Sequence, residues 1–313
     1  MAVCWRCNIA LMRLVLAIAL SSHSAAAMAG DLIAHDVAPG IWAIEGPAAQ
    51  RDAQNLGNNA TFGLIDTSDG AVLVDPGGTR AGAQALHAVV RELTRQPVVM
   101  VIDTGGQDHR WLGNGYWKEQ GATIVASADA VADHKARGSL QLTMLSQLVG
   151  DAVAGTVPTY ADVMVDEEHI IELGGRRIEV YHPAAAHTPG DSFVWLPRER
   201  VVFTGDIVYV GRLLGVMEFS SSASWLDAFT AIEALDPVHV VPGHGAPTTL
   251  AVAQADTRDY LVNLRERVRE HIDAGGDIIG SVDVDQSAFS HLAQFEALAR
   301  RNAQTVFQQM EWE

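Results

Sequence analysis

The chain has 313 residues, of which 48% are hydrophobic, and carries a formal net charge of −17 from 21 basic and 38 acidic residues. A surface this acidic disfavours binding to nucleic acid or to anionic lipid, both of which attract basic patches. The length suits one α/β domain with appended helices.

The N-terminal segment has the pattern of a secretory signal peptide. Arg6 and Arg13 precede an apolar run at residues 14–20, and a small-residue cleavage motif follows at residues 27–29. The apolar run is shorter than the roughly 20 residues that span a bilayer, which disfavours a membrane anchor. We therefore expect residues 1–29 to be removed and the mature protein to be periplasmic or secreted, without membrane attachment.

Both cysteines, Cys4 and Cys7, lie in this segment. The mature chain would then contain no disulfide and no thiolate ligand. Any metal site must use His, Asp and Glu side chains, which favours zinc, iron or manganese over copper(I) or an iron–sulfur cluster.

Apolar runs and helical spacing alternate along the first half of the mature chain, which is typical of a layered α/β sandwich. Short strands are predicted at residues 36–45, 61–66, 71–75, 98–102 and 122–127. Helices are predicted at residues 82–96, 113–120 and 128–150.

From residue 166 the pattern changes to a meander of short strands. These strands are predicted at residues 169–173, 176–182, 192–196 and 201–204. A helix at residues 224–235 leads to a last buried strand at residues 238–241. We predict one domain over residues 31–249 and a helical extension, residues 250–313, that packs on it.

Polar side chains follow several predicted strand ends. Asp108 and His109 come after a glycine turn that closes the strand at residues 98–102, and His187, Asp206 and His244 follow later strand ends. Imidazole nitrogens and carboxylate oxygens are good ligands for zinc and similar ions. The sequence therefore predicts that these five residues meet at a metal site.

These motifs resemble, in order and spacing, those of the metallo-β-lactamase superfamily. They are VLVDPGG, an Asp-His pair after a strand, AHTPGD, FTGD and PGHG, and they cover about residues 58–245. The resemblance implies an α/β fold, a four-layer αββα sandwich, with a metal site at one edge between the sheets. In overall style the chain looks nearest to periplasmic members associated with PQQ and sulfur oxidation.

The chain departs from the family's H-x-H-x-D-H motif. Counting back from His109 places Thr104 and Gly106 where the family has its two leading histidines. Of the trio that holds the family's first metal, only His187 is then left.

The family's second set of ligands is complete, as Asp108, His109 and His244 with Asp206. The resemblance therefore implies one divalent metal, zinc before iron or manganese, with His187 as a further candidate ligand.

The expected function is that of a periplasmic hydrolase in which metal-bound water attacks an ester, thioester or amide-type bond of a small molecule. Asp108 and Asp206 are candidate catalytic residues. Trp111, Tyr209 and Arg212 are candidate substrate contacts, the arginine for an anionic group.

Two alternatives stay open. One is a catalytically degenerate binding protein of the same fold in a periplasmic redox or sulfur pathway, an interpretation that allows a protein partner. The other is an oxidoreductase with a single iron, in the manner of persulfide dioxygenases.

Overall fold

A computed structural model describes Met1 and residues 32–313. The predicted signal peptide, with Cys4 and Cys7, lies outside the described residues except for Met1. Among the helices of residues 32–313, none is both long and apolar enough to cross a bilayer.

The first sheet has seven strands that lie side by side in chain order. Its first four strands are antiparallel, and the fourth to the seventh are parallel. The strands are β1 (Ile33–Ala38), β2 (Ile41–Glu45), β3 (Thr61–Thr67), β4 (Gly70–Val74), β5 (Val98–Asp103), β6 (Thr123–Ser127) and β7 (Val163–Val165). The connecting helices are α1 (Arg80–Leu93), α2 (Asn114–Glu119) and α3 (Ala128–Val149).

The second sheet has five strands in the order β12-β11-β10-β9-β8. All neighbours are antiparallel except β11 and β12, which run parallel. The strands are β8 (Glu168–Leu173), β9 (Arg176–Tyr181), β10 (Phe193–Leu196), β11 (Val201–Phe203) and β12 (His239–Val241). The helices of this half are α4 (Ser222–Ala234), α5 (Leu250–Ala253), α6 (Asp259–Asp273) and α7 (Phe295–Met310).

The two sheets pack face to face, and each is covered by helices on its outer face. Ile65 and Ile102 of the first sheet share one buried cluster with Val194 and Phe203 of the second. On the far side of the first sheet, α1 and α2 close a second cluster, and α4, α6 and α7 cover the second sheet. The predicted αββα sandwich with a C-terminal helical extension is confirmed.

The element boundaries differ from the predictions in places that local capping explains. The Thr79 hydroxyl accepts a hydrogen bond from the Gly82 amide, so α1 begins two residues before its predicted start. The predicted strand at residues 36–45 is two strands, because Gly40 turns the chain with a φ of 73°. Strand β7 was not predicted, since its three residues are too short to show a pattern.

Candidate metal centre

His109 lies in a tight turn that begins just after β5. This 3-10 turn spans Asp108–Arg110. The backbone that leads into it is hydrogen-bonded on both sides. The Thr104 amide donates a 2.8 Å hydrogen bond to the Asp75 carboxylate, and the Ser192 amide donates a 2.7 Å bond to the Thr104 carbonyl. The turn is therefore anchored to the ends of both sheets.

Asp206 and His244 reach the same place from the second sheet. Asp206 lies in a 3-10 turn, Gly205–Ile207, that follows β11, and His244 follows β12. Because β11 and β12 are parallel neighbours, their carboxyl ends meet at one edge of the sheet.

These three side chains form one buried cluster. His109 Nε2 lies 3.2 Å from Asp206 Oδ2, and His244 Nε2 lies 3.2 Å from Asp206 Oδ1. One ligand atom from each residue lies within 4.8 Å of the others. The three atoms are therefore close enough to share a metal ion.

The protonation states of His244 and Asp206 suit a cation. Burial lowers the pKa of His244 well below its usual value, and the nearby Arg212 adds to this effect. Burial alone would raise the pKa of Asp206, but the charge of Arg110 and the two histidines hold it well below its usual value. His244 Nδ1 lies 2.8 Å from the Asn59 carbonyl, so a proton on Nδ1 leaves Nε2 free to bind a metal.

Arg110 is a buried component of the site that the sequence analysis did not single out. Its Nη2 donates to Asp206 Oδ1 at 2.7 Å and to the Gly243 carbonyl at 2.7 Å, while Nη1 donates to Asp75 Oδ2 at 2.6 Å. One guanidinium thus ties the end of β4 to both turns of the second sheet. An arginine directly after an Asp-His pair was the available signal.

Asp108 lies apart from the cluster, although it is adjacent to His109. Arg51, in the loop between β2 and β3, donates to Asp108 Oδ1 from Nε at 2.8 Å and from Nη2 at 2.6 Å. Burial would raise the pKa of Asp108, but the Arg51 charge and the contacts with His109 hold it far below its usual value. His109 Nδ1 lies 3.2 Å from the same carboxylate oxygen and 3.0 Å from Arg51 Nη2, so Asp108 and Arg51 together hold the imidazole.

The residues before His109 that face the pocket differ from the two predicted by counting back from it, Thr104 and Gly106. Gln107 and His109 line the pocket above the cluster. The Thr104 hydroxyl instead hydrogen-bonds to Asp75 at 2.8 Å, and a Cβ on Gly106 would point at the Asp133 carboxylate. A histidine at either predicted position would therefore face away from the pocket.

His187 lines the same pocket but does not belong to the three-residue cluster. Its Nδ1 lies 2.9 Å from the Gly215 carbonyl, which fixes the proton on Nδ1 and leaves Nε2 as an acceptor. Burial lowers the pKa of His187 to about 4, so the ring is neutral at pH 7.

The three candidate substrate contacts are separated by the fold. Tyr209 and Arg212 line the pocket, and the Tyr209 ring stacks on His244 with centroids 4.5 Å apart. Trp111 is fully buried and stacks on His134 at 4.2 Å, so it supports the turn from behind. Among the described residues, the structure thus gathers His109, His187, Tyr209, Arg212 and His244 around the pocket.

The chain is similar in sequence to known proteins. A model of the metallo-beta-lactamase superfamily matches residues 57–244. The 2,4-dinitroanisole O-demethylase subunit alpha of Nocardioides sp. (strain JS1661) is 24% identical over 185 residues, which are 58% of this chain and 51% of that protein. The chain therefore spans about half the length of this relative.

Several solved structures share the fold. A metallo-beta-lactamase from Pontibacter korlensis is 21% identical with a TM-score of 0.58, covering 74% of this chain and 99% of that one. The sec-alkylsulfatase Pisa1 from Pseudomonas sp. is 16% identical with a TM-score of 0.68, covering 89% and 50%. The lactamase FIM-1 from Pseudomonas aeruginosa, in its mono-zinc form, is 18% identical with a TM-score of 0.57, covering 72% and 93%.

Proposed function

The chain belongs to the metallo-beta-lactamase superfamily, and on that basis we propose that it is a hydrolase that uses one divalent metal ion. The supporting observation is the convergence of His109, Asp206 and His244 in one buried cluster beneath a pocket. Zinc is the proposed ion, with iron or manganese as the other choices. The proposed substrate is a small molecule with an ester, thioester or amide-type bond.

The donor set fits such an ion. Two imidazoles and one carboxylate match the three protein ligands of hydrolytic zinc sites, which keep a further position open. A divalent ion bound there would lower the pKa of a coordinated water molecule toward about 7 and polarise a carbonyl oxygen.

The surrounding residues have distinct roles in this proposal. Asp206 is a ligand whose orientation is fixed by Arg110, and Asp108 acts on catalysis indirectly, by orienting His109. His187 Nε2 is a neutral acceptor that can take a proton within the pocket.

Tyr209 is the proposed hydrogen-bond donor to the substrate. Burial raises the pKa of its hydroxyl well above 10, and the charge of Asp206 raises it further. The hydroxyl therefore keeps its proton at neutral pH and can stabilise negative charge that develops on a substrate oxygen.

The proposed location is the periplasm or the extracellular space, and it rests on the signal-peptide pattern of residues 1–29. Secretion of a fusion of this segment to a reporter enzyme tests it. A reporter that stays in the cytoplasm would contradict this location without affecting the proposed chemistry.

Metal content measured by mass spectrometry tests the metal site. The chain without residues 1–29, dialysed against zinc, should retain about one zinc per chain. His109→Ala and Asp206→Ala should each lose it, while His291→Ala, a control at an exposed histidine, should retain it. A parent protein that retains no zinc, iron or manganese would refute the proposal.

A second candidate is a binding protein that has lost catalysis. It is supported by Gln107, which lines the same pocket as His187. The amide oxygen of Gln107 is buried and has no hydrogen-bond partner among residues 32–313. If the zinc-loaded parent hydrolyses no 4-nitrophenyl ester or thioester, and Gln107→His gains that activity, this second function is correct.

A further inference from the structure

We propose that α3 is the contact surface of a homodimer, in which two copies of the chain pack this helix antiparallel about a two-fold axis at Met144. The contact is made by Leu140, Met144 and Leu148, which we call the apolar stripe. This inference goes beyond the proposed function and does not depend on it, because it concerns the outer surface of α3 and none of the metal ligands. The supporting observations are the exposure of the stripe, its lack of charge and the opposite charges at its two ends.

The apolar stripe presents three large side chains to solvent in one row. Leu140, Met144 and Leu148 are 60%, 56% and 43% exposed, and they follow one another at four-residue spacing along α3. Residues four positions apart lie on the same side of an α-helix, so the three side chains form a continuous ridge. Single exposed apolar residues are common on folded proteins, whereas a continuous apolar surface indicates a contact with another molecule.

The stripe lies in a stretch of sequence without charge. Residues 138–150 contain no lysine, arginine, aspartate or glutamate, although 19% of the chain is charged and its net charge is −17. The exposed residues of α6 are, by contrast, all acidic, namely Asp259, Glu266, Glu270 and Asp273. Two copies of so acidic a chain repel each other over most of their surface. The uncharged side of α3 is therefore a place where a second copy can approach at little electrostatic cost.

The stripe is complementary to itself, because its spacing is symmetric about Met144. In an antiparallel pair of α3 helices, Leu140 of one copy would lie against the partner subunit's Leu148, and the two Met144 side chains would meet at the axis. Ridges of residues at four-residue spacing interdigitate in the commonest class of helix packing. A two-fold dimer uses the same surface on both copies, so one stripe supplies both sides of the contact.

Opposite charges lie at the two ends of the stripe. Arg137 precedes it, and Asp151, which is exposed, follows just after the end of α3. The position of Arg137 is fixed, since it pairs with Asp133 and its guanidinium lies 3.8 Å from the centre of the Phe219 ring. Arg137 and Asp151 are equally far from Met144 along the chain, so the two-fold axis places Arg137 of each copy opposite the partner subunit's Asp151. A parallel pair would instead bring like charges together, so the charges favour a second, antiparallel copy as the occupant.

The same helix supports the candidate metal centre from its buried side. Gln141 donates a 2.7 Å hydrogen bond to the Gly106 carbonyl and accepts a 2.8 Å bond from the Trp111 indole. Gln141 is buried, whereas its neighbour Leu140 is exposed, so α3 separates the stripe from the turn that carries His109. A second copy on the outer side of α3 would therefore leave the metal ligands untouched.

Sedimentation equilibrium of the chain without residues 1–29 tests the inference. We expect a monomer–dimer equilibrium that Met144→Asp weakens at least about tenfold, because it places two unpaired carboxylates at the centre of the contact. Ile279→Asp is the matched control, since Ile279 is an apolar residue outside the stripe that is 77% exposed, and it should dimerise as the parent does. A parent that stays monomeric up to about 0.5 mM, or a dimer that Met144→Asp does not weaken, would overturn the inference.

Charge reversal at Asp151 separates the antiparallel dimer from nonspecific association. Asp151→Arg makes the chain less negative, which by itself favours the association of two acidic copies. In the antiparallel dimer it instead sets two arginines against each other at each end of the stripe, and we expect dimerisation to weaken about threefold or more. Glu92→Arg makes the same change of charge at an exposed position of α1 and should not weaken dimerisation. Equal dimerisation of the two variants would contradict the antiparallel arrangement.

Cross-linking locates the two-fold axis. The chain without residues 1–29 contains no cysteine, so Met144→Cys introduces one thiol per copy. At the axis the two thiols of a dimer lie close enough to form a disulfide on oxidation, and we expect a covalent dimer on a non-reducing gel. Ile279→Cys, oxidised at the same concentration, should remain monomeric. Cross-linking of Met144→Cys that does not exceed that of Ile279→Cys would place the axis elsewhere and overturn the inference.

Discussion

Replacement of Arg110 is expected to cause a large loss of stability, because this residue is hydrogen-bonded to two buried carboxylates at once. Its guanidinium bonds to Asp75 and Asp206 and to the carbonyls of Thr61 and Gly243, and it is completely buried. Arg110→Gln leaves both acids without a cation. Removal of one partner from a buried ion pair costs about 3–5 kcal/mol, and we expect a loss of that size for the metal-free protein at pH 7.

Urea unfolding in the presence of EDTA measures this loss, since a bound cation would otherwise compensate Asp206. The difference between parent and variant should shrink as the pH falls toward 4, because protonation removes the uncompensated charges. Asp75→Asn combined with Arg110→Gln should recover part of the loss, since one of the two acids is then neutral.

The control Arg95→Gln should change the free energy of unfolding by less than about 0.5 kcal/mol. A loss below about 1 kcal/mol in Arg110→Gln at pH 7 would refute the reasoning. It would mean that water or a rearranged side chain compensates the acids.

Three further predictions concern the site and its supports. Asp108→Asn should keep about one zinc per chain in metal analysis while lowering turnover, and loss of the zinc would instead make Asp108 a ligand. Burial lowers the pKa of His134 to about 4, so this residue favours folding above pH 6.5 and should cost about 1.4 kcal/mol per pH unit as the pH falls from 6.5 to 4. His134→Gln should remove that part of the slope in urea unfolding, whereas exposed His291→Gln should not. Gly190→Ala should lower the free energy of unfolding by about 1–3 kcal/mol, since its Cβ would overlap the backbone at the start of α3, while Gly215→Ala, with no atom closer than 3.9 Å, should unfold like the parent.

The sandwich was predictable because its strands are short apolar runs that end at glycine, aspartate or histidine. The parallel pair β11 and β12 illustrates this: each ends in a polar residue, Asp206 or His244, and parallel pairing brings the two together. His109 could be predicted as their partner from the glycine turn after β5. Local sequence therefore identified all three members of the cluster.

The orientation of the turn at Asp108 could not be predicted in the same way. Gln107, which precedes the 3-10 turn, and His109 within it line the pocket, while Asp108 turns toward the loop of Arg51. Arg51 is 57 residues away along the chain, and nothing in its local sequence indicates this contact. Ion pairs between distant loops, such as this one, depend on how the loops pack. The periodicity of the sequence does not predict that packing.

The origin of the three cluster residues has a consequence for how the proposed metal ion would be bound and lost. His109 belongs to one sheet, and Asp206 and His244 belong to the other, so the coordinating atoms meet only when the two halves of the chain are docked. A newly made or partly unfolded polypeptide would have no high-affinity site for the proposed ion. Release of the ion should consequently coincide with cooperative separation of the halves, and added zinc should slow that separation.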